Sequence, residues 1–488
     1  MNFLAPELML QLTMLVPVLA IAGILLTGRS ENVREAVSII ASLIVLALVI
    51  GLYQNFTAGV PVAVSWFEIM PGLSLSFRLE AMGMIFALVA GVLWLVTIFY
   101  AIGYMRSHHE QNQTRFYACF ALAIGSVFGV AFASNLFTLF IFYEVLTLST
   151  YPLVTHAGTP EAKKGGRTYL GILLGTSIAF FLFAILGTYF VAGTLEFTEG
   201  GVFPAGTSTA IGGALLVLFV FGVGKAAIMP FHRWLPAAMV APTPVSALLH
   251  AVAVVKAGVF TLLKVGTFIF GLDFLNTLPT TDALLYLAGA SVVIASLIAM
   301  RQDNLKKRLA YSTVSQLSYI TAGMLLATEA GITGGAMHIA MHAFGKITLF
   351  FCAGAILVTL HKTNVSQLRG VGWQMPFTMI AFLIGTLSII GLPPTGGAWS
   401  KWFLLSGALE ADQVVIMGVL MLSSLLNIAY LLPIPVLAFF PPADGAARPA
   451  IKEAPLPSLL ALSFTALMCL VLFVFPQPLY ELAASITN

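Results

Sequence analysis

The chain has 488 residues, 59% of them hydrophobic and only 8% charged, against roughly 25% charged in a soluble globular domain. That balance excludes a soluble protein and leaves a polytopic membrane protein; the net charge of +3 says little about partners until its distribution is known. Three cysteines, Cys119, Cys352 and Cys469, stand far apart inside apolar stretches, so neither a disulfide framework nor a metal or haem motif is indicated.

Apolar stretches of about 20 residues, each long enough to cross a hydrocarbon core of roughly 30 Å, fall at 8–27, 36–53, 81–104, 116–133, 136–156, 168–192, 210–235, 244–271, 283–300, 309–327, 334–360, 376–409, 413–440 and 457–475. The sequence therefore predicts an all-α protein of about fourteen transmembrane helices. The first span, without a basic leader or cleavage site, is read as a retained helix. The loop 54–78 is expected outside, with Trp66 and Phe67 as interfacial anchors and Glu80 at the mouth of span 3.

Basic residues orient this map. Of 22 Lys and Arg, 16 fall in the connections after odd-numbered spans, the last pair being Arg448 and Lys452, and Arg78 alone falls in an even-numbered one. The positive-inside rule then puts the odd connections in the cytoplasm and both termini on the outer side of a bacterial cytoplasmic membrane. The five bases left over, Lys225, Lys256, Lys264, Lys346 and Lys401, all lie within spans. A buried lysine shifts its pKa readily and an arginine stays charged, so a lysine-only set suits proton exchange; Lys264 can also be read as a lysine reaching the interface.

Span 5 holds Glu144, the only acid deep in a span, expected either to form a static ion pair or to switch its pairing with Lys225. Span 7 contains GVGKAAIMPFHRWLP, with Lys225 ahead of a helix break at Pro230. Freed backbone at membrane depth is tolerated where it is buried in protein or lines water. GVGK lacks the rest of a phosphate-binding loop, so no nucleotide site is inferred. Span 8 carries His250, Lys256 and Lys264, and span 11 carries His338, His342 and Lys346 at four-residue spacing, one polar stripe on an apolar helix. No Cys, Asp or Glu near the histidines completes a metal site, and a lysine one turn on opposes one. Span 12 contains GLPPTGGAWSK, where Pro393, Pro394 and Gly396 break the helix before Lys401; the loop 441–457 after span 13 reads as a linker.

Spans 4 to 8 (115–271) and 9 to 13 (282–440) each make five helices with the broken one fourth. An odd number of spans per copy implies two inverted repeats, preceded by an N-terminal unit 1–114 and followed by a linker and last helix, 441–488.

Glu144, Lys225 before a Pro-broken helix, PTPVSALLHAVAVVKAG, the HxxxHxxxK stripe and LPPTGGAWSKW together resemble the antiporter-like family shared by Mrp-type multisubunit cation/proton antiporters, the proton-pumping membrane subunits of respiratory complex I, and membrane hydrogenases. The lysine at position 401 is similar to that of the D branch of the Mrp antiporters and of the distal complex I subunit, and the length and the ending near Asn488 resemble the D branch. The resemblance implies a switching Glu144–Lys225 pair, a central axis of His250, Lys256, His338, His342 and Lys346, and Lys401 as the terminal proton donor and acceptor. It implies no cofactor, no catalytic residues, and partners like Mrp subunits A, B, C, E, F and G. A redox-driven pump subunit and a proton-coupled accessory of inorganic-carbon uptake remain open. Hard cations prefer oxygen ligands, and the basic row offers almost none, so the sodium site is expected in a partner chain or at its interface.

Overall fold

Helix follows apolar sequence almost throughout the computed structural model, which describes residues 4–70, 72–441 and 450–487. Arg448 lies outside the described residues, as does the rest of 442–449 in the predicted linker. The chain opens with α1 (Pro6–Leu26) and α2 (Glu31–Thr57), followed by an antiparallel hairpin of β1 (Ala63–Met70) and β2 (Leu73–Arg78). Then come α3 (Ala81–Ser107), α4 (Gln113–Phe132), α5 (Leu136–Val154) and α6 (Pro160–Thr176), which runs through a π-turn into α7 (Leu182–Ala192). After α8 (Thr209–Gly222) the helix breaks and resumes only as the short α9 (Trp234–Ala237). The next long helix, residues 243–270, joins α10 (Thr243–Ala247) to α11 (Val254–Val265) through a π-turn at Leu248–Val252 and ends in another at Gly266–Phe270.

The second half holds α12 (Leu272–Thr277), α13 (Pro279–Met300), α14 (Leu305–Leu325) and the 32-residue α15 (Glu329–Leu360). The short α16 (Val371–Gln374) leads into α17 (Pro376–Ile390), a break, then α18 (Gly397–Glu410). It closes with α19 (Val414–Leu431), α20 (Pro433–Ala438), α21 (Leu456–Val474) and α22 (Gln477–Ala484). Side-chain oxygens of Asn135, Thr159, Asn304 and Thr328 cap the N-termini of α5, α6, α14 and α15, each satisfying a backbone N–H that the first helical turn leaves unpaired.

Burial sorts these helices. α15 is the axle, packed against α3, α14, α17, α18 and α21, and every residue from 241 to 270 is buried. The outer helices keep apolar faces open, with Leu26 87% and Phe190 85% exposed, as a lipid-facing surface requires. Among the described residues eleven helices are long and apolar enough to cross a membrane. The three other predicted spans are the two broken ones, whose apolar helices α8 and α17 are short, and α14, whose buried face carries Ser312, Thr313, Ser315, Gln316, Ser318, Tyr319 and Thr321.

Two expectations need correction. The predicted loop 54–78 contains the β-hairpin, in which Trp66 packs on the buried ring of Phe77 at 4.7 Å while Phe67 is exposed. Leu73, Leu75 and Phe77 alternate with serines, the two-residue period of a strand. The break in span 7 begins at Val223, well before Pro230: α8 ends at Gly222, and a 3₁₀ turn at Gly224–Ala226 leads to Ala227 in the left-handed region, φ 54°.

Candidate functional site: a buried basic row

Lys225 sits at the opening of the first break. Its ammonium donates to the Tyr143 carbonyl at 2.7 Å and the Thr147 hydroxyl at 2.6 Å, and lies 3.1 Å from the centre of the Tyr143 ring. Both partners come from α5. The break is strapped shut on its far side by the Trp234 indole N–H, which donates to the Gly224 carbonyl at 2.9 Å. α11 backs directly onto it: a Cβ on Gly258 would fall 2.3 Å from the Ala226 nitrogen, so only glycine permits that approach.

The expected Glu144–Lys225 ion pair is open. Glu144 neighbours Tyr143, yet neither of its oxygens has a hydrogen-bond partner among the described residues, and Lys225 is satisfied by neutral groups. On α5 the side chains at 143 and 147 face inward and Glu144 faces the partly exposed side that also bears the exposed Leu148. Sequence order alone does not reveal which face of a helix meets the lysine.

Across the interior, Lys256 Nζ and His342 Nδ1 are 2.5 Å apart. His342 and His338 have ring centres 5.8 Å apart on successive turns of α15. His338 then bridges two helices, with Nε2 3.1 Å from the Gln316 carbonyl oxygen of α14 and Nδ1 2.8 Å from the Ser400 hydroxyl of α18. The next residue is Lys401, whose ammonium donates to the Ile390 carbonyl at 3.0 Å and the Ser424 hydroxyl at 3.1 Å, 4.7 Å from the centre of the Tyr319 ring. Lys346, one turn beyond His342, donates to the Ser312 hydroxyl at 2.6 Å. His250 lies in the first π-turn with its ring against Phe350 at 4.7 Å and no hydrogen bond at either nitrogen among the described residues. The structure thus joins Lys256, His342, His338 and Lys401 into one row, with Lys346 on its flank and His250 beside it.

Pro230, Pro393, Pro394 and Gly396 all lie in the non-helical stretches beside the two end lysines. At the second break Gly391 takes φ 87°, and a Cβ on Gly397 would meet the Ser388 carbonyl at 1.9 Å. Lys264 has a carboxylate partner: it is fully buried, 2.9 Å from Glu80, and donates to the Ala133 carbonyl at 2.6 Å. It therefore does not reach out to the interface; Glu80 reaches in to it, tied in turn to Arg78 at 2.7 Å.

Sequence reasoning missed the neutral side of the site. Tyr143, Thr147, Ser312, Gln316, Tyr319, Ser400 and Ser424 receive or flank the row. A signal existed: positions 312, 316 and 319 fall on one face of a helix. Chemically, imidazole donates and accepts at once, hydroxyls do likewise, and a lysine held by neutral groups can give up its proton without stranding a buried counter-ion.

Known proteins share this arrangement of helices. Residues 133–427, more than half of the chain and all of the row, match the family described as NADH:quinone oxidoreductase/Mrp antiporter, TM. The chain is 33% identical over 422 residues to NADH-quinone oxidoreductase subunit N of Desulforudis audaxviator, covering 84% of this chain and 82% of that one. Among solved structures it resembles a chain of the membrane-bound sulfane sulfur reductase, an archaeal respiratory membrane complex, with TM-score 0.86 and 23% identity, covering 98% of this chain and 97% of the other. It resembles equally a chain of the Mrp complex from Dietzia sp., with TM-score 0.85 and 22% identity over the same shares. Sequence and fold agree: this all-α membrane protein belongs to the NADH:quinone oxidoreductase/Mrp antiporter transmembrane family.

Proposed function

We propose that this chain is the proton-translocating subunit of an Mrp-type multisubunit antiporter that exchanges protons for sodium or another monovalent cation. The observation that carries the reading is the row itself. From Lys256 through His342, His338 and Ser400 to Lys401, hydrogen-bonding side chains succeed one another inside a fully buried core, and ionisable groups placed there at a cost of several kcal/mol mark ion pathways. Lys225 and Lys401 each stand at a break, each over a tyrosine ring and each held by one carbonyl and one hydroxyl. That shared device favours two inverted five-helix repeats, 115–271 and 282–440, after an N-terminal unit 1–114 and before 441–488.

In this reading α8 with α9, α14, and α17 with α18 also cross, giving fourteen spans, with both termini outside a bacterial cytoplasmic membrane. The loop contacts favour that alternation: Arg106 pairs with Glu35, and Arg115 donates to the His156 carbonyl at one end, whereas Arg78 donates to the Phe197 carbonyl at the other. Protons enter beside Lys225 while its pairing with Glu144 is open and move along the row to Lys401. Partners resembling Mrp subunits A, B, C, E, F and G complete the complex. A second reading, a pumping subunit of a redox complex, is favoured by the 33% identity to an NADH-quinone oxidoreductase subunit.

Inside-out membrane vesicles containing the chain with its partners, energised by respiration and followed with a pH-sensitive dye, separate the two. Addition of sodium, potassium or lithium is expected to collapse the gradient with wild type and not with Lys401→Ala, while assembly of the complex persists. No response of wild type to any cation rejects antiport in favour of the redox reading.

A further inference from the structure

At the end of the molecule that the proposed topology puts outside, the second π-turn of the buried helix forms the floor of a cavity of about 280 Å³. Its wall carries three carboxylates, Glu199, Asp273 and Glu329, and no basic side chain. All three are exposed, and none has an ion-pair or hydrogen-bond partner among the described residues. The floor supplies an independent oxygen: Thr267 is 6% exposed, lines the same cavity, and its hydroxyl is buried without a hydrogen bond among the described residues.

The backbone builds this place. Thr198 N–H donates to the Phe268 carbonyl and Val202 N–H to the Ile269 carbonyl, so the Glu199 loop is laced onto the π-turn. Gly200, Gly201 and Gly271 all take positive φ, and a Cβ on Gly271 would lie 2.1 Å from the Gly200 carbonyl. Two larger cavities continue the wall on either side: one of about 680 Å³ shares Glu199 and adds Glu196 and the paired Arg78 and Glu80, and one of about 580 Å³ shares Asp273 and Glu329 and adds Glu410.

We propose that this cavity is an outer vestibule for monovalent alkali cations, with Thr267 as its innermost ligand; the proposal rests on the antiporter reading and locates where its cation is gathered. Among the described residues no three His, Cys, Asp or Glu side chains converge closely enough to hold a metal ion. The carboxylates therefore gather a weakly held, partly hydrated ion and do not chelate a divalent one, and a like-signed cleft raises local counter-ion concentration by roughly ten- to a thousandfold. The oxygens that the basic row lacks stand one helical turn from Lys264, outside the row. A cation beside Thr267 adds positive charge next to the fixed Lys264–Glu80 pair.

The test uses the complete complex in right-side-out vesicles, with sodium or potassium added at the outer face. In the triple variant Glu199→Gln, Asp273→Asn, Glu329→Gln the half-saturating cation concentration is expected to rise at least fivefold with the maximal rate within twofold of wild type. Thr267→Val is expected to raise it two- to fivefold. An unchanged half-saturating concentration, or a change confined to the pH profile, overturns the vestibule while leaving antiport standing. Labelled-sodium binding to the purified complex supplies a readout apart from transport: weaker binding by the triple variant supports the vestibule, and undiminished binding overturns it whether or not antiport is observed.

Discussion

Five lysine ammoniums share one buried interior, and what distinguishes them is the company each keeps. Among the described residues Lys264 alone of the five has a carboxylate within ion-pair reach. Lys225, Lys256, Lys346 and Lys401 are held by carbonyls, hydroxyls, tyrosine faces and an imidazole, partners that remain satisfied whichever charge state the amine adopts. Deprotonating Lys264 would remove one of the two cations that hold Glu80, the other being Arg78. On the proposed function the four others are the exchangers and Lys264 is a fixed charge. Arginine keeps its proton at every accessible pH, so Lys256→Arg is expected to bring cation-dependent proton movement in vesicles to background, whereas Lys264→Arg retains at least half of it. Wild-type transport with Lys256→Arg would remove Lys256 from the path.

At the scale of elements, the breaks are legible because proline and glycine leave few helical alternatives, yet their extent is not. The first opens at Val223, where a glycine-rich turn and Ala227 in the left-handed region end α8 before Pro230 is reached. Periodicity likewise reveals the His338, His342 and Lys346 stripe but not its partners on α14, because serine and glutamine in an apolar span read as tolerated polarity until a neighbour is seen to use them. The hairpin escapes a reading by hydropathy because its few apolar residues suit the interface as well as a strand, and only their alternation separates the two. The approach of α18 to α17 gives a direct test. A methyl at Gly397 collides with backbone, which cannot rotate away, and overpacking of this kind costs typically 1–3 kcal/mol. Gly397→Ala is expected to lower the thermal midpoint of the purified complex by several degrees, while Gly418→Ala, where nothing lies within 4 Å, leaves it in place; equal midpoints would contradict the close approach.

At the scale of the molecule, loops from distant parts of the chain are tied together at each end. Asp303, in the connection after α13, accepts from the Ser366 N–H at 3.0 Å and hydroxyl at 2.8 Å, and these bonds hold its carboxyl below the usual carboxylate range. A lowered native value means that the stabilisation is complete above the unfolded pKa of about 3.9 and is lost as pH falls through the native one. Hydrogen exchange at Ser366 is therefore expected to be slow at neutral pH, to quicken relative to the intrinsic rate only below about pH 4, and to be fast at pH 7 in Asp303→Asn; equal protection in that variant would detach Asp303 from the loop.

The polarity of α14 also bears on how the chain is made. A segment leaves the insertion machinery for lipid on the strength of its own side chains, with a favourable Leu, Ile, Phe or Val giving only about 0.3–0.6 kcal/mol each at the helix centre. α14 offers hydroxyls and an amide where its neighbours offer leucine, and several of its partners, His338 and Lys346 on α15 and Leu420 on α19, lie later in the chain. During synthesis α14 is therefore expected to be held less firmly than its leucine-rich neighbours until α15 and α19, which supply its partners, have followed.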